Sequence, residues 1–396
     1  MRAYNFSLWN SNLPISVEGY RKQARKCLPK MVWAYVDGGS DDLVSLGENR
    51  AAFGRHRLLP RVLTGVAKPN LATVIAGVNV ALPIGLAPTG VSGLTHWRGD
   101  VASTRAAEAA GTRAIISSAC CYSLEEIAEA TREQHWFQLY PFGDRDHVGE
   151  LIDRAAAAGY TALFITVDVP VVGNREGERE TGMGVPLALT PLRCLDFACH
   201  PRWLAGMLIH RRSVPVHYAE WAAKESAALP RSGAVAARAV MQQIRHMQGD
   251  LHWDDLGWMR DRWKGKLYVK GVMNADDAAR AVDKIGADGV VVSNHGGRQL
   301  DSVQGTLDAL SAIADRIGDR ADVYLDGGVR RGTDVIIALC VGANGVFVGR
   351  PYLYGLATRG QAGVESVLSI FRDELLRDMV LLGCDSVAKL DRSWLA

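Results

Sequence analysis

Eight apolar runs of strand length recur along the chain, at Pro83–Ala87, Arg113–Ser117, His135–Tyr140, Ala162–Val167, Lys266–Lys270, Gly289–Ser293, Asp322–Leu325 and Gly345–Val348. Helical patterns fill most of the gaps: Gly99–Ala110, Leu124–Thr131, Asp144–Ala158, Asn274–Lys284, Gly305–Ile317 and Asp334–Val341. Strands that alternate with helices call for a parallel sheet, because each crossover helix covers the strands it joins. Eight such units close a (β/α)8 TIM barrel of the α/β class. An open doubly wound sheet is the rival, and it carries a Gly-rich fingerprint after its first strand. Here the first strand runs into Ala87-Pro88-Thr89-Gly90, which has no such fingerprint. The expectation is one barrel domain over residues 1–396.

A chain of 396 residues with 48% hydrophobic content can fill a barrel core and still carry insertions. A formal net charge of +2 gives no reason to expect a nucleic-acid partner. No uninterrupted apolar run of about 18 residues occurs, so no membrane span is expected. The N-terminus lacks the apolar core and cleavage site of a signal peptide. The seven cysteines are scattered without a Cys-x-x-Cys pair, which argues for a reducing compartment and against a disulfide frame or a metal site.

Residues 1–15, with Trp9, read as irregular. Ser16 then reads as the N-cap of a helix running to about Val36 and stopped by Gly38-Gly39. From Val172 to about Leu251, between the fourth and fifth strands, the alternation fails. An insertion of that length is expected to act as a lid, an oligomer contact or a surface-associating segment. It sets Trp203, Met207–Ile209 and Trp221 among His210-Arg211-Arg212, Lys224, Arg231, Arg238 and Arg245, a mixture that can seat a segment on an anionic membrane. After the last strand, Gly363–Leu382 reads as an amphipathic helix.

Functional groups of a barrel stand just past the strand C-termini. Here Pro88, Thr89 and Gly90 follow the first strand and Ser117 ends the second. Gln138 and Tyr140 end the third, Thr166 and Asp168 the fourth, and Lys270 the fifth. His295 follows the sixth, Asp326 ends the seventh, and Gly349-Arg350 follow the eighth. A single polar residue can merely solvate a strand end, but eight such ends around one mouth indicate an enzyme. The loop Asp326-Gly327-Gly328-Val329-Arg330 leads into a helix and, with Gly349-Arg350, suggests a site for a cofactor with one phosphate.

The sharpest stretch is Ser-Asn-His-Gly-Gly-Arg-Gln-Leu-Asp, Ser293 to Asp301. His295 can act as a base near neutrality. Gly296 and Gly297 let backbone or ligand approach closely. Arg298 offers a planar fork that matches a carboxylate. Base, open floor and clamp point to proton removal from a small organic acid.

That string resembles the active-site signature of the FMN-dependent L-2-hydroxy acid oxidase and dehydrogenase family, and the likeness covers nearly the whole barrel. The resemblance implies FMN, held by Pro88, Thr89, Gly90, Ser117, Gln138, Thr166, Lys270, Ser293, Asp326, Gly327, Gly328, Arg330, Gly349 and Arg350. It implies a substrate held by Tyr35, Tyr140, Arg175 and Arg298, and a catalytic set of His295, Asp168 and Tyr140 in which Asp168 orients the histidine. Asp196–Trp203 and Trp253–Trp263 resemble the mandelate and flavin-type lactate dehydrogenase branch. That likeness implies peripheral attachment at the cytoplasmic side of the inner membrane, a quinone-type electron acceptor and a homotetramer. The position of Gly90 is often alanine in oxidases, and Ala119 matches a tryptophan of glycolate oxidase. Both imply a dehydrogenase with room for an aromatic acid such as (S)-mandelate. Val171–Arg175 departs in detail from the mandelate enzymes, so L-lactate, and an oxidase that uses oxygen, stay open. An FMN barrel with other chemistry, such as modification of a peptide, has no need of Arg298. A non-enzymatic flavin carrier would hold FMN that no 2-hydroxy acid bleaches.

Overall fold

The computed structural model describes residues 13–184, 187–225 and 251–396. A short antiparallel hairpin, β1 (Thr73–Ile75) and β2 (Val78–Val80), precedes eight parallel strands. These are β3 (Ile84–Leu86), β4 (Ile115–Ser117), β5 (Trp136–Leu139), β6 (Ala162–Thr166), β7 (Lys266–Val272), β8 (Gly289–Val292), β9 (Asp322–Asp326) and β10 (Gly345–Val348). Their order is β3-β10-β9-β8-β7-β6-β5-β4, and a parallel bridge from Leu86 to Ala114 closes the ring. Each of the eight runs read as a strand is one, and each helical pattern between them is a helix, with ends that differ by a residue or two. The fold is the expected barrel.

The period of two along each strand connects the core to the mouth. Ile115, Trp136, Phe164, Tyr268, Val291, Tyr324 and Phe347 form one buried cluster inside the barrel. Two positions further along the same strands come Ser117, Gln138, Thr166, Lys270, Ser293, Asp326 and Gly349. The alternation that fills the interior with apolar side chains therefore also aims the next inward residue at the C-terminal mouth. The hairpin plugs the opposite end, where Ile75, Ala76 and Val80 join the interior cluster. The Ala76 N–H donates to the Tyr324 hydroxyl at 2.7 Å, and Tyr324 donates on to Asp322 at 2.9 Å.

The single helix expected from Ser16 to Val36 is two, Val17–Cys27 and Lys30–Asp37. Ser16 caps the first, its hydroxyl accepting from the Gly19 N–H at 3.1 Å. Pro29 breaks the run: it has no N–H to give, and its ring drives Leu28 into extended backbone at φ −108°, ψ 139°. Gly38 then closes the second helix as expected.

A third helix, Val44–Gly54, follows Leu43, which sits in the left-handed region and offers no cap. Its cap comes from the far end of the signature string. Asp301 accepts from the Ser45 N–H at 2.7 Å and from the Val44 N–H at 3.2 Å. Replacing a cap of this kind costs about 1 kcal/mol. Asp301→Ala is expected to lower the melting temperature accordingly, with Asp301→Asn largely retaining it. Equal melting of wild type and the alanine variant would show the cap to be idle.

The described part of the insertion holds four short helices, Glu176–Thr181, Pro191–Ala198, Pro201–His210 and Val216–Glu225. Arg231, Arg238, Arg245 and the N-terminal Trp9 lie outside the described residues. After β10 come Arg350–Arg359 and Gln361–Leu382. The chain then ends in turns that bury Trp394. No described helix is long and apolar enough to cross a membrane.

Candidate active site

Beyond β8 the backbone takes three successive left-handed conformations, at His295 (φ +58°), Gly296 (+66°) and Gly297 (+70°). Gly297 is needed for space as well as for φ: a Cβ there would lie 2.6 Å from the Leu46 nitrogen. The turn presents the His295 ring to the ends of β5 and β6. Its Nδ1 lies 2.9 Å from Asp168 Oδ1 and its Nε2 lies 3.2 Å from the Tyr140 hydroxyl. Burial pushes the Asp168 carboxyl up, but the His295 imidazole and the Lys270 ammonium bring it below its ordinary value. An ionised carboxylate only accepts, so Nδ1 carries a proton. Burial lowers the pKa of His295, and Asp168 offsets only part of that. The lowered pKa favours a neutral imidazole, whose Nε2 faces the Tyr140 hydroxyl.

Two guanidiniums join it. Arg298 Nη1 donates to the Tyr35 and Gly38 carbonyls at 2.6 and 3.1 Å, and Nη2 donates to Glu178 at 2.8 Å. The group also stands 5.0 Å from the centre of the Tyr35 ring. Arg175 Nε donates to the Arg298 carbonyl at 3.3 Å, and its Nη1 is 3.9 Å from Glu178. Burial and the nearby Arg298 lower the Arg175 pKa. A pair of cations with one shared carboxylate is an environment suited to a second anion.

The strand ends converge as the periodicity implies. Ser117 Oγ donates to Gln138 Oε1 at 2.8 Å, which commits the oxygen and leaves Gln138 Nε2 without a partner among the described residues. Thr166 Oγ1 and Arg350 Nε are likewise buried without a partner among the described residues. Lys270 Nζ sits 2.8 Å from Asp326 Oδ2 and 2.9 Å from Ser293 Oγ. Burial opposes its charge, but Asp326 and Asp168 raise its pKa, so Lys270 stays an ammonium. The Tyr35 hydroxyl donates to the Gly90 carbonyl at 2.7 Å. Pro88, Thr89 and Gly90 are half-buried along the mouth, and Thr89 shares a hydrogen bond with Tyr352. Gly327 and Gly328 both have positive φ and pack under Asn49. At Gly349 a Cβ would meet only Ala87 and Thr89, at 3.8 Å.

Two predicted phosphate ligands are placed less directly. Arg350 donates to the Gly296 and Gly38 carbonyls at 2.9 and 2.6 Å, so its fork ties the signature loop to the N-terminal segment. Burial, then Arg298, push its pKa down to about 10. Arg330 donates to the Val329 carbonyl at 2.8 Å and lines a surface cleft with Glu18, Arg50 and Arg57.

Some members of the site were not legible. Glu178 lies on the first insertion helix, and nothing local marks it as the partner of Arg298. Gln299 binds the Asp168 and Val171 carbonyls at 3.0 and 2.8 Å and so steadies the chain that carries Asp168. Asn49 and Asn294 exchange amide hydrogen bonds at 2.8 and 2.9 Å, pinning the loop to helix Val44–Gly54. Asn294 stands within the string, and its position beside His295 was the available hint.

A buried ammonium, an amide N–H and a hydroxyl that have no partner among the described residues, and a glycine-rich loop together suit the carbonyl-rich ring and the phosphate of FMN. The family model described as FMN-dependent dehydrogenase matches residues 24–396. An L-lactate dehydrogenase of Caulobacter vibrioides is 40% identical over 96% of this chain and 97% of its own length. An L-lactate oxidase of Nostoc is 40% identical over 96% of this chain and 98% of its own. The crystal structure of a monotopic membrane protein, (S)-mandelate dehydrogenase, superposes with a TM-score of 0.90 at 35% identity, covering 98% of this chain and 100% of that one. The chain therefore belongs to the FMN-dependent dehydrogenase family, with FMN as its cofactor and a 2-hydroxy acid as the class of molecule it oxidises.

Proposed function

We propose that this protein is a dehydrogenase that oxidises an L-2-hydroxy acid of the (S)-mandelate type to the 2-oxo acid and hands the electrons to a quinone-type acceptor. The observation that carries the reading is His295, oriented by Asp168 at 2.9 Å, beside the paired guanidiniums of Arg298 and Arg175. Arg298 and Arg175 hold the substrate carboxylate and so fix the α-carbon. The Tyr35 and Tyr140 hydroxyls bond substrate oxygens. His295 Nε2 takes a proton, and the imidazolium that forms is stabilised by Asp168. FMN, when bound, supplies the acceptor for the electron pair. Pro88, Thr89, Gly90, Ser117, Gln138, Thr166 and Ser293 are assigned to its ring system, and Lys270 to the edge where negative charge builds. Asp326, Gly327, Gly328, Arg330, Gly349 and Arg350 are assigned to its ribityl and phosphate.

Substrate size follows from the wall. A Cβ on Gly90 would press on the Ala119 methyl at 3.0 Å, so two small residues pack on each other here and neither puts bulk into the wall. That favours an aromatic acid over lactate. The test is anaerobic mixing of the FMN-loaded protein with (S)-mandelate and with L-lactate, read at the flavin absorbance. Bleaching by both is expected, faster with mandelate. Failure of every 2-hydroxy acid to bleach the flavin ends the reading. The reduced protein is then mixed with air-saturated buffer or a soluble quinone. Slow reoxidation by oxygen and fast reoxidation by quinone are expected, and the reverse would make the protein an oxidase.

The insertion, residues 172–251 of the single barrel domain, is assigned to peripheral contact with the cytoplasmic face of the inner membrane, in a homotetramer. In support, Leu192, Leu195, Leu208 and Ile209 are 79, 61, 64 and 72% exposed, beside Arg193, Arg202 and Arg211. Co-sedimentation with anionic lipid vesicles is expected, and should be lost in Leu192→Asp/Ile209→Asp. Binding unaffected by that double change would place the contact elsewhere.

A further inference from the structure

Tyr35, Gly90 and Ala119 form one continuous wall. Tyr35 bonds the Gly90 carbonyl at 2.7 Å, and the Val91 N–H donates to the Ala119 carbonyl at 2.9 Å. Every segment in this wall is also tied to the insertion. Tyr35 rides on helix Lys30–Asp37, whose N-cap residue, Pro29, supplies no side-chain cap. The Lys30 N–H donates instead to Asp196 Oδ2 of helix Pro191–Ala198, at 2.8 Å. Trp203, on the next helix, donates its indole N–H to the Leu94 carbonyl at 2.7 Å. Gly206 packs on Trp97 so closely that a Cβ would stand 3.2 Å from the ring. His210 stacks on the same ring with centroids 3.5 Å apart. The Arg212 carbonyl closes on Gly93, and the Val216 N–H donates to the Cys120 carbonyl at 3.0 Å.

Physical reasons make these ties consequential. An eight-residue helix is marginal alone, and its first N–H groups need acceptors. A carboxylate is the favoured acceptor there because it also opposes the helix dipole. The Gly90 segment holds only a single short turn, Ser92–Leu94, so its course depends on what it packs against.

We propose that Asp196 and Trp203 are positioning residues for substrate recognition: through them the insertion sets where Tyr35 and the Gly90 segment stand, and so the dimensions of the pocket. The inference rests on reading this wall as the substrate's. It gives the insertion a second role, independent of whatever its exposed face meets.

The experiment compares Asp196→Ala, Asp196→Asn and Trp203→Phe in the FMN-loaded full chain. Asp196→Ala is expected to raise KM for the acid that reduces the wild type by about fivefold, the equivalent of one lost cap, with kcat and FMN content near wild type. Asparagine caps helices as well as aspartate and should restore KM. Trp203→Phe keeps an aromatic side chain, loses the indole donor, and should raise KM as the alanine change does. Hydrogen–deuterium exchange of the amides in 30–37 should quicken in Asp196→Ala. That readout needs no substrate, so it tests the clamp even if no 2-hydroxy acid reduces the flavin. Unchanged exchange overturns the proposal, and so does quicker exchange with unchanged KM. A parallel loss of kcat, KM and FMN content without rescue by asparagine also overturns it, because that pattern marks a purely structural part.

Discussion

His295→Asn is expected to bind FMN as the wild type does and yet to be reduced by its 2-hydroxy acid about 10²–10⁴-fold more slowly, the range for loss of a general base. Asparagine is the right replacement because His295 sits at φ +58°, where a non-glycine residue is strained and asparagine least so. The backbone turn, and with it Arg298, should therefore stay in place. Anaerobic stopped-flow measures the reduction, and a rate within about tenfold of wild type would remove His295 from the base role. The pH profile adds a second check. Only neutral His295 accepts a proton, so activity falls as pH drops through its pKa. Burial holds that pKa below its ordinary value, so the acid limb of kcat/KM should lie below the 6.5 of a free imidazole. In Asp168→Asn the attraction that partly offsets burial is gone. The limb should then move further toward acid while the rate itself falls.

Much of this was legible because one periodicity encodes two things. Ile115 and Ser117, Trp136 and Gln138, Tyr268 and Lys270 share an inward face, the first of each pair in the core and the second at the mouth. Reading the strands correctly therefore placed the mouth residues as well. What escaped depended on contacts between segments far apart in sequence. The β1–β2 hairpin has strands of three residues, too short to show alternation. The cap of helix Val44–Gly54 lies 256 residues away in Asp301, so neither end announces the other. The break at Leu28-Pro29 was visible, but the apolar spacing on either side concealed it. Glu178 was missed for the reason Asp301 was: its role exists only once Arg298 is folded against it.

Arg298→Lys should lower kcat/KM by about 10²–10³-fold, mostly through KM, although it keeps the charge. The reason is a count of donors. The Arg298 guanidinium spends its Nη1 hydrogens on the Tyr35 and Gly38 carbonyls and one Nη2 hydrogen on Glu178. Among the described residues that leaves the Nε hydrogen and one Nη2 hydrogen without an acceptor, two donors for a carboxylate. A lysine has three donors in all, and the same carbonyls and carboxylate would consume them. The substrate would lose a two-pronged, charge-assisted contact, and each such bond contributes about 1.5–3 kcal/mol. Arg175 can replace only part of this contact, because its Nε donates to the Arg298 carbonyl at 3.3 Å and its Nη2 to Gln299 at 3.4 Å. Binding of a non-reacting 2-oxo acid, followed by the perturbation of the flavin spectrum, separates this from any effect on chemistry. It should weaken in step with KM in Arg298→Lys and stay near wild type in His295→Asn. If lysine binds the oxo acid as tightly as arginine does, the clamp is not where the carboxylate sits.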